Sequence, residues 1–389
     1  MLRRLAVAVG AAVLVTGCAG GASPTRSGST GAATPVAVAV TLTDAGCVAE
    51  PASVVAGPVT FTVTNVSATA ATEVELVKDG AILGEKEDLT PGLNGTFSLA
   101  LTAGSYQLSC PGAATSLTPF EVTPSTAADS PAATAPAGPT SSAPASALAA
   151  ATAAYADYVR AQVAKLVTTT TAFAQAVEAG DVARAKQLYA APRVYYERIE
   201  PVAESFGDLD PRIDGRADDA ASPDQFIGFH RLEQALWLDG STASMTPIAQ
   251  GLVADVTRLQ SLVATATYQP AQLANGASEL LDEVGASKIT GEEERYSHLD
   301  LVDFQANVDG AQEAFQLLEP ALEQVDPALA AIIAQRFADV DAALRPYRQG
   351  TGFVLYTALT PADTRTLAQV VDALAEPLSE VAAKVVGNA

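Results

Sequence analysis

The sequence predicts a multidomain all-β plus all-α protein, a small β-sandwich followed by a helical bundle of two packed four-helix sets. Three observations carry this expectation. Short alternating apolar runs fill residues 36–124, a Pro/Ala/Ser/Thr-rich stretch with almost no charge occupies 125–147, and long Ala-rich amphipathic segments cover 148–389.

At the N-terminus, Arg3 and Arg4 precede an apolar run from Leu5 to Val15, followed by Thr16-Gly17-Cys18. The run is shorter than the roughly 20 residues that span a bilayer. Residues 1–18 therefore read as a signal peptide ending in a lipobox, with Cys18 the lipidated first residue of the mature chain; a plain secretory signal with an incidental cysteine is the alternative. Residues 19–35 are polar and lack periodicity, and read as a tether.

Strands are expected at Val36 to Thr43, Val59 to Val66, Thr72 to Val77, Thr96 to Leu101, Ser105 to Cys110 and Phe120 to Val122. Asp79-Gly80, Pro91-Gly92, Asn94-Gly95 and Ala103-Gly104 supply the turns, so the region reads as a small antiparallel sandwich. Cys47 and Cys110 are its cysteines, and two readings stand for them. In an exported domain a lone pair is by default a disulfide, while the other reading is a metal site using both sulfurs with Glu73 or Glu75. A blue-copper centre needs histidine, and this region has none.

Residues 125–147 read as a semi-extended linker, which makes the sandwich and the bundle two independently folding units. Helices are expected at about 148–178, 181–205, 223–238, 245–267, 270–286, 298–319, 327–348 and 361–386. Breakers such as Gly180, Gly207, Gly240, Pro270, Gly291, Pro327 and Gly350 divide them.

Composition narrows the function. Lys plus Arg number 22 against 44 Asp plus Glu, a net charge of -22. Nucleic acid is thereby excluded as a partner, because phosphate binding needs a basic surface, and cations are favoured instead. Histidine occurs only at His230 and His298, too few for a three-histidine zinc site.

The chemistry centres on Gly228-Phe-His-Arg-Leu-Glu233. With Ser222 as N-cap, Pro223 at the first helical position and Gln225 completing a capping box, Phe226, His230, Glu233 and Trp237 fall on one stripe. Such a face implies a cation or a hydrogen-bonded His–Glu pair. Glu197 and Glu200 share a face, beside Pro201, whose kink frees a carbonyl as a further oxygen ligand; an Arg193–Glu197 pair on a solvated face is the plain alternative. In the loop 207–224, Asp208-x-Asp210 lacks the ligand and glycine that an EF-hand needs next, but Asp214 can swing into a shared site. Glu292-Glu293-Glu294 leads to Ser297, the expected N-cap of the sixth helix, and Asp300, Asp303 and Asn307 then form a polar strip. Two carboxylates about 4 Å apart repel by roughly 4 kcal/mol at an effective dielectric near 20, so convergence of these groups requires protons or a cation. Oxygen donors with one imidazole suit Fe(III), Fe(II), Mn or Zn.

These stretches, with Glu294-Arg-Tyr-Ser-His-Leu-Asp300 and Asp303-Phe-Gln-Ala-Asn-Val-Asp-Gly310, closely resemble the imelysin-type domain of the EfeO family of extracytoplasmic iron-uptake proteins. Thr72-Glu-Val-Glu-Leu76, Pro91-Gly92 and Gly104-Ser-Tyr106 before Cys110 resemble the cupredoxin-like module of its long members. The resemblance implies a metal site at His230 and Glu233 with Glu197, Glu200, Asp214 and Asp300, and a second, ferric or cupric, site at Cys47, Glu73, Glu75 and Cys110. It implies a lipid-anchored iron carrier on the outer or periplasmic side of the membrane, binding Fe3+ or Fe2+, with Zn2+ or Cu2+ as further ions. Its partners would be an iron permease and a haem peroxidase of the same uptake system. The rival readings are a zinc-type metallopeptidase using H-x-x-E, which lacks the H-E-x-x-H helix, and a polysaccharide-binding imelysin-like protein, for which no aromatic platform is evident.

If the linker buries as little surface as its composition implies, limited proteolysis cuts first between Pro124 and Ala147. Cleavage inside the bundle ahead of the linker, followed by mass spectrometry, would refute it.

Overall fold

The computed structural model describes residues 34–125, 143–218, 220 and 222–387; the expected signal peptide with Cys18, and most of the expected tether and linker, lie outside the described residues. The β-region forms two facing sheets with strand orders β2-β1-β4-β7 and β3-β9-β8-β5-β6. These strands are β1 (Val36–Thr43), β2 (Gly46–Glu50), β3 (Ser53–Val55), β4 (Gly57–Asn65), β5 (Val74–Lys78), β6 (Ala81–Lys86), β7 (Asn94–Leu101), β8 (Gly104–Ser109) and β9 (Leu117–Thr123). Alternation along β1 and β4 sends Val38, Val40, Val59, Phe61 and Val63 into a core shared with Phe97 and Phe120. Two pairings, β1 with β4 and β3 with β9, are parallel, so the sandwich is mixed rather than antiparallel. β2, β3 and β6 escaped the sequence reading because they are short and bear Glu50, Glu85 or only three residues.

Cys47 on β2 and Cys110 just after β8 form a disulfide across the two sheets, with Cα atoms 6.2 Å apart. Such a bond persists in oxidising, extracytoplasmic compartments. No described helix is long and apolar enough to cross a membrane.

The helical domain consists of α1 (Ala143–Glu178), α2 (Val182–Glu197), α3 (Asp210–Ile213), α4 (Gly228–Trp237), α5 (Thr246–Val263), α6 (Pro270–Ala286), α7 (Asp300–Val325), α8 (Pro327–Leu344), α9 (Pro361–Ser379) and α10 (Val381–Val386). α1, α2, α4 and α5 pack as one set and α6 to α9 as the other, joined mainly where α7 crosses α1 and α2. α1 starts at Ala143, inside the stretch expected to be linker, and α7 runs through Pro320 to Val325. α2 stops at Glu197, followed by 3-10 turns at Glu200–Val202 and Glu204–Leu209, because Pro201 cannot continue the α-helical ladder.

α4 begins at Gly228, not after Ser222. Residues 222–225 close a separate turn through Gln225 N–H to Ser222 O, 2.9 Å, and Phe226 precedes the helix. Gly228 has φ +78°, and a Cβ there would lie 2.4 Å from Ile213 O. That close approach, which only glycine allows, delays the helix and brings His230 beside the 210–214 segment.

The β-region and the helical domain pack against each other. Lys86 Nζ on β6 reaches Glu279 (2.9 Å) and Asp282 (2.8 Å) of α6. Asn275 of α6 donates to Ser98 O (2.8 Å) and accepts from Ser98 N–H (3.3 Å), closing the open edge of β7 as a neighbouring strand would. The expected independence of the two units is therefore qualified by a polar interface that the linker composition gave no sign of.

Reduction of the disulfide, or Cys47→Ala with Cys110→Ala, should lower stability by roughly 4 kcal/mol on the chain-entropy account of a loop this long. Chemical denaturation of the oxidised and double-variant proteins measures it, and equal midpoints would count against it.

Candidate metal centre

The sandwich and the helical domain enclose a cavity of about 770 Å3. Glu73 just before β5, Glu75 on β5, Glu85 on β6 and Glu87 just after it line one side, while Glu200, Asp214, Glu283, Lys288 and Glu293 line its helical wall. Glu73, Glu85 and Glu87 bring carboxylate oxygens within 4.8 Å of one another. Burial, then the neighbouring Glu75 and Glu87, push the Glu73 carboxyl up to about 10. Of the four residues expected to form a second site, Glu73 and Glu75 open on this cavity, whereas Cys47 and Cys110 spend their sulfurs on the disulfide and offer no thiolate.

Beneath the helical wall lies a buried cluster in which neighbouring groups share members. Glu197, Glu200 and Asp214 form one triad, Asp214, His230 and Glu293 the next, and His230, Glu233 and Glu294 the last, each with donor atoms within 4.8 Å. Five of the six expected site residues thus converge, from α2, the 3-10 turn after it, the end of α3 and α4. Asp300 does something different: its Oδ1 accepts from Glu294 N–H (3.1 Å), tying the 293–299 loop to the first turn of α7. Ser297 is not the helix cap expected of it; its hydroxyl donates to Glu294, and Leu299 holds the cap position.

Glu233 orients the histidine. Its Oε1 accepts from Tyr296 N–H (2.8 Å) and Ser297 N–H (2.7 Å), and its Oε2 lies 3.1 Å from His230 Nδ1. Nε2 then faces Asp214 Oδ1 at 3.3 Å and Glu293 Oε1 at 3.5 Å without hydrogen-bond geometry to either. Burial and Arg193 oppose the imidazolium, but the hydrogen bond to Glu233 and the nearby Glu293 carboxylate push His230 up to about 9.

Two basic side chains inside the cluster were not identified from sequence in this role. Arg193, fully buried on α2, meets Glu294 (3.1 Å), Asp303 (3.1 Å) and Glu293 (3.2 Å), and also Glu197 and Asp214. The Arg193–Glu197 pair exists, but on a buried face. Lys288, in the short turn Lys288–Thr290, contacts Glu200, Glu197 (3.5 Å), Glu283 (3.7 Å) and Glu293 (4.0 Å). Asn307 donates to Glu197 Oε2 (2.8 Å) and to the Glu197 carbonyl (3.3 Å), so the carbonyl freed at the end of α2 is taken by an amide. The one sequence signal for Arg193 was its i,i+4 spacing to Glu197, and Lys288 had none, because an isolated lysine after a helix normally reaches solvent.

Charge bookkeeping defines what the cluster can do. Glu197, Glu200, Asp214, Glu233, Glu283, Glu293, Glu294 and Asp303 face Arg193, Lys288, Arg216 and the His230 ring. Even with the imidazole charged, carboxylates outnumber cations two to one. Burial, partly offset by Arg193, pushes Asp303 up to about 7, and burial followed by the Glu233 and Asp303 charges holds Glu294 well above the usual range. Without another cation, the surplus is held as protons.

Known proteins agree with this architecture. The imelysin family pattern, described as Peptidase_M75: Imelysin, matches residues 151–381. The chain belongs to the imelysin family. The curated protein "Iron uptake system component EfeO" of Escherichia coli (strain K12) is 41% identical over 348 residues, 88% of this chain and 90% of that protein. The counterpart from Shigella flexneri gives the same figures. A crystal structure from Parabacteroides distasonis, described as an iron-regulated protein A precursor, superposes with a TM-score of 0.51 at 17% identity, covering 64% of this chain and 97% of that one. At that identity it shows the imelysin fold alone.

Arg193→Met should destabilise the metal-free protein by roughly 3–5 kcal/mol, since it strands buried carboxylates. Unchanged denaturation midpoints would refute this. His230 makes a second, pH-dependent prediction. Its folded value, about 9, lies above the ordinary 6.5, so its contribution is complete below 6.5 and lost as pH rises through 9. Metal-free wild type should therefore lose stability relative to His230→Gln across that window, as read from melting temperature against pH; a constant difference would contradict the assignment.

Proposed function

We propose that this imelysin-family protein captures iron outside the cytoplasm as a component of an EfeO-type uptake system and delivers it to a membrane permease. The reading rests on one observation above others: the buried His230 Nε2, turned towards Asp214 and Glu293 and without a hydrogen bond, lies in a cluster whose carboxylates outnumber its cations. A hard or borderline ion suits that donor set, which favours Fe3+ or Fe2+ and is compatible with Zn2+. We assign His230, Asp214, Glu293, Glu197 and Glu200 to binding, Glu233 to orienting the imidazole, and Asp300 to holding the loop that carries Glu293 and Glu294. Cu2+ would have only carboxylates of the cavity wall to bind on the sandwich side.

The acidic cavity gives an incoming cation a favourable approach through its negative potential. Lipidation at Cys18 would keep the carrier near its membrane partners, an iron permease and a haem peroxidase of the same system, on the outer or periplasmic side. Peptide hydrolysis through H-x-x-E has less support. Glu233, the motif's carboxylate, has its oxygens committed to two backbone N–H groups and to His230, leaving no oxygen aimed at a metal-activated water.

Titration calorimetry with ferrous and ferric iron tests the assignment. His230→Ala should abolish tight binding while keeping helicity, and Glu233→Gln should weaken it about 10–100-fold. Binding should also release protons and strengthen from pH 5 to 8, because the ion replaces protons held by His230 and Asp303. Parent-like affinity in both variants would return the motif to a structural role.

A further inference from the structure

We propose that Lys288 is an exchangeable internal counter-ion: its ammonium holds the binding carboxylates together before loading and is displaced into the cavity by the incoming cation. The inference rests on the metal-capture reading and concerns how that site is regulated.

The two buried bases differ in a way that assigns them different parts. Arg193 is enclosed, lies off the cavity wall, and is gripped by five carboxylates through a planar fork. Losing it would undo several directional bonds together, so it stays. Lys288 lines the cavity and carries a compact charge on a flexible stem. It touches Glu200, Glu283 and Glu293, which line the cavity with it, and the fully buried Glu197. A cation that binds Glu197, Glu200 and Glu293 from the cavity therefore competes with Lys288 for the same carboxylates.

The exchange brings the surplus of carboxylate closer to neutrality. A divalent or trivalent ion takes over Glu197 and Glu200 with more charge than the ammonium it replaces. The released side chain has a ready destination, since Glu73, Glu75, Glu85 and Glu87 line the opposite wall of the cavity. Such a counter-ion spares the metal-free site part of its carboxylate repulsion and limits affinity, which suits a carrier that must also release its cargo.

The test compares wild type, Lys288→Met, Lys288→Arg and His230→Ala by iron titration and melting temperature. Lys288→Met should bind iron about tenfold more tightly or better, release it more slowly to a chelator, and melt lower without metal but gain more on loading. Lys288→Arg, which keeps the charge, should not gain affinity. If Lys288→Met binds like wild type, or more weakly, the exchange is wrong and Lys288 is a fixed structural ion pair. If His230→Ala binds like wild type, the site assignment itself fails, a separate result. Wild-type protein provides a check independent of folding defects in the variants. Amine acetylation read by mass spectrometry should modify Lys288 faster with iron bound, and equal or slower labelling would overturn the proposal.

Discussion

The surplus of buried carboxylate around Arg193 and Lys288 is the constraint on which the helical domain depends. A buried carboxylate without a partner costs several kcal/mol, and here six carboxylates and His230 form linked triads with donor atoms within 4.8 Å. The fold accommodates them by placing a guanidinium among them, an ammonium at the cavity side, and the backbone N–H groups of Glu294, Tyr296 and Ser297 on Asp300 and Glu233. α2, α4, α7 and the turn after α6 are held in register by this network as well as by apolar packing, because each contributes at least one charged member.

Close backbone approaches make the convergence possible. Gly228 lets α4 start against Ile213, Gly276 of α6 lies where a Cβ would be within 1.8 Å of Pro201 O, and Gly310 of α7 where one would be 2.5 Å from Arg198 O. The last two pack the helices of the second set against the 198–202 segment that carries Glu200. Small residues here set the distance at which side chains from separate helices meet, a packing requirement that also fixes the chemistry.

The sandwich takes part in the site through its charged wall. Its disulfide and aromatic core give it rigidity, while the Asn275–Ser98 and Lys86–Glu279 contacts fix β6 and β7 against α6. Glu73, Glu75, Glu85 and Glu87 thereby face the helical wall and complete an acidic enclosure that neither part forms alone.

The sequence by itself determined the order of a β-region and a helical domain, the extracytoplasmic character of the cysteine pair, the acidic balance, and His230 with Glu197, Glu200, Asp214 and Glu233 as neighbours in one cluster. These are legible because alternation, helical periodicity and the i,i+3 spacing of H-x-x-E and E-x-x-E are local properties of the chain. Tertiary structure alone decided that Arg193 and Lys288 offset part of the cluster's charge, that Glu293 and Glu294 belong to it while Asp300 braces their loop, that Glu233 faces Nδ1, and that Cys47 and Cys110 part from Glu73 and Glu75. Each depends on which side chains meet across separate elements in a low-dielectric interior. That is set by non-local packing and charge compensation, for which a run of residues carries no periodic signal.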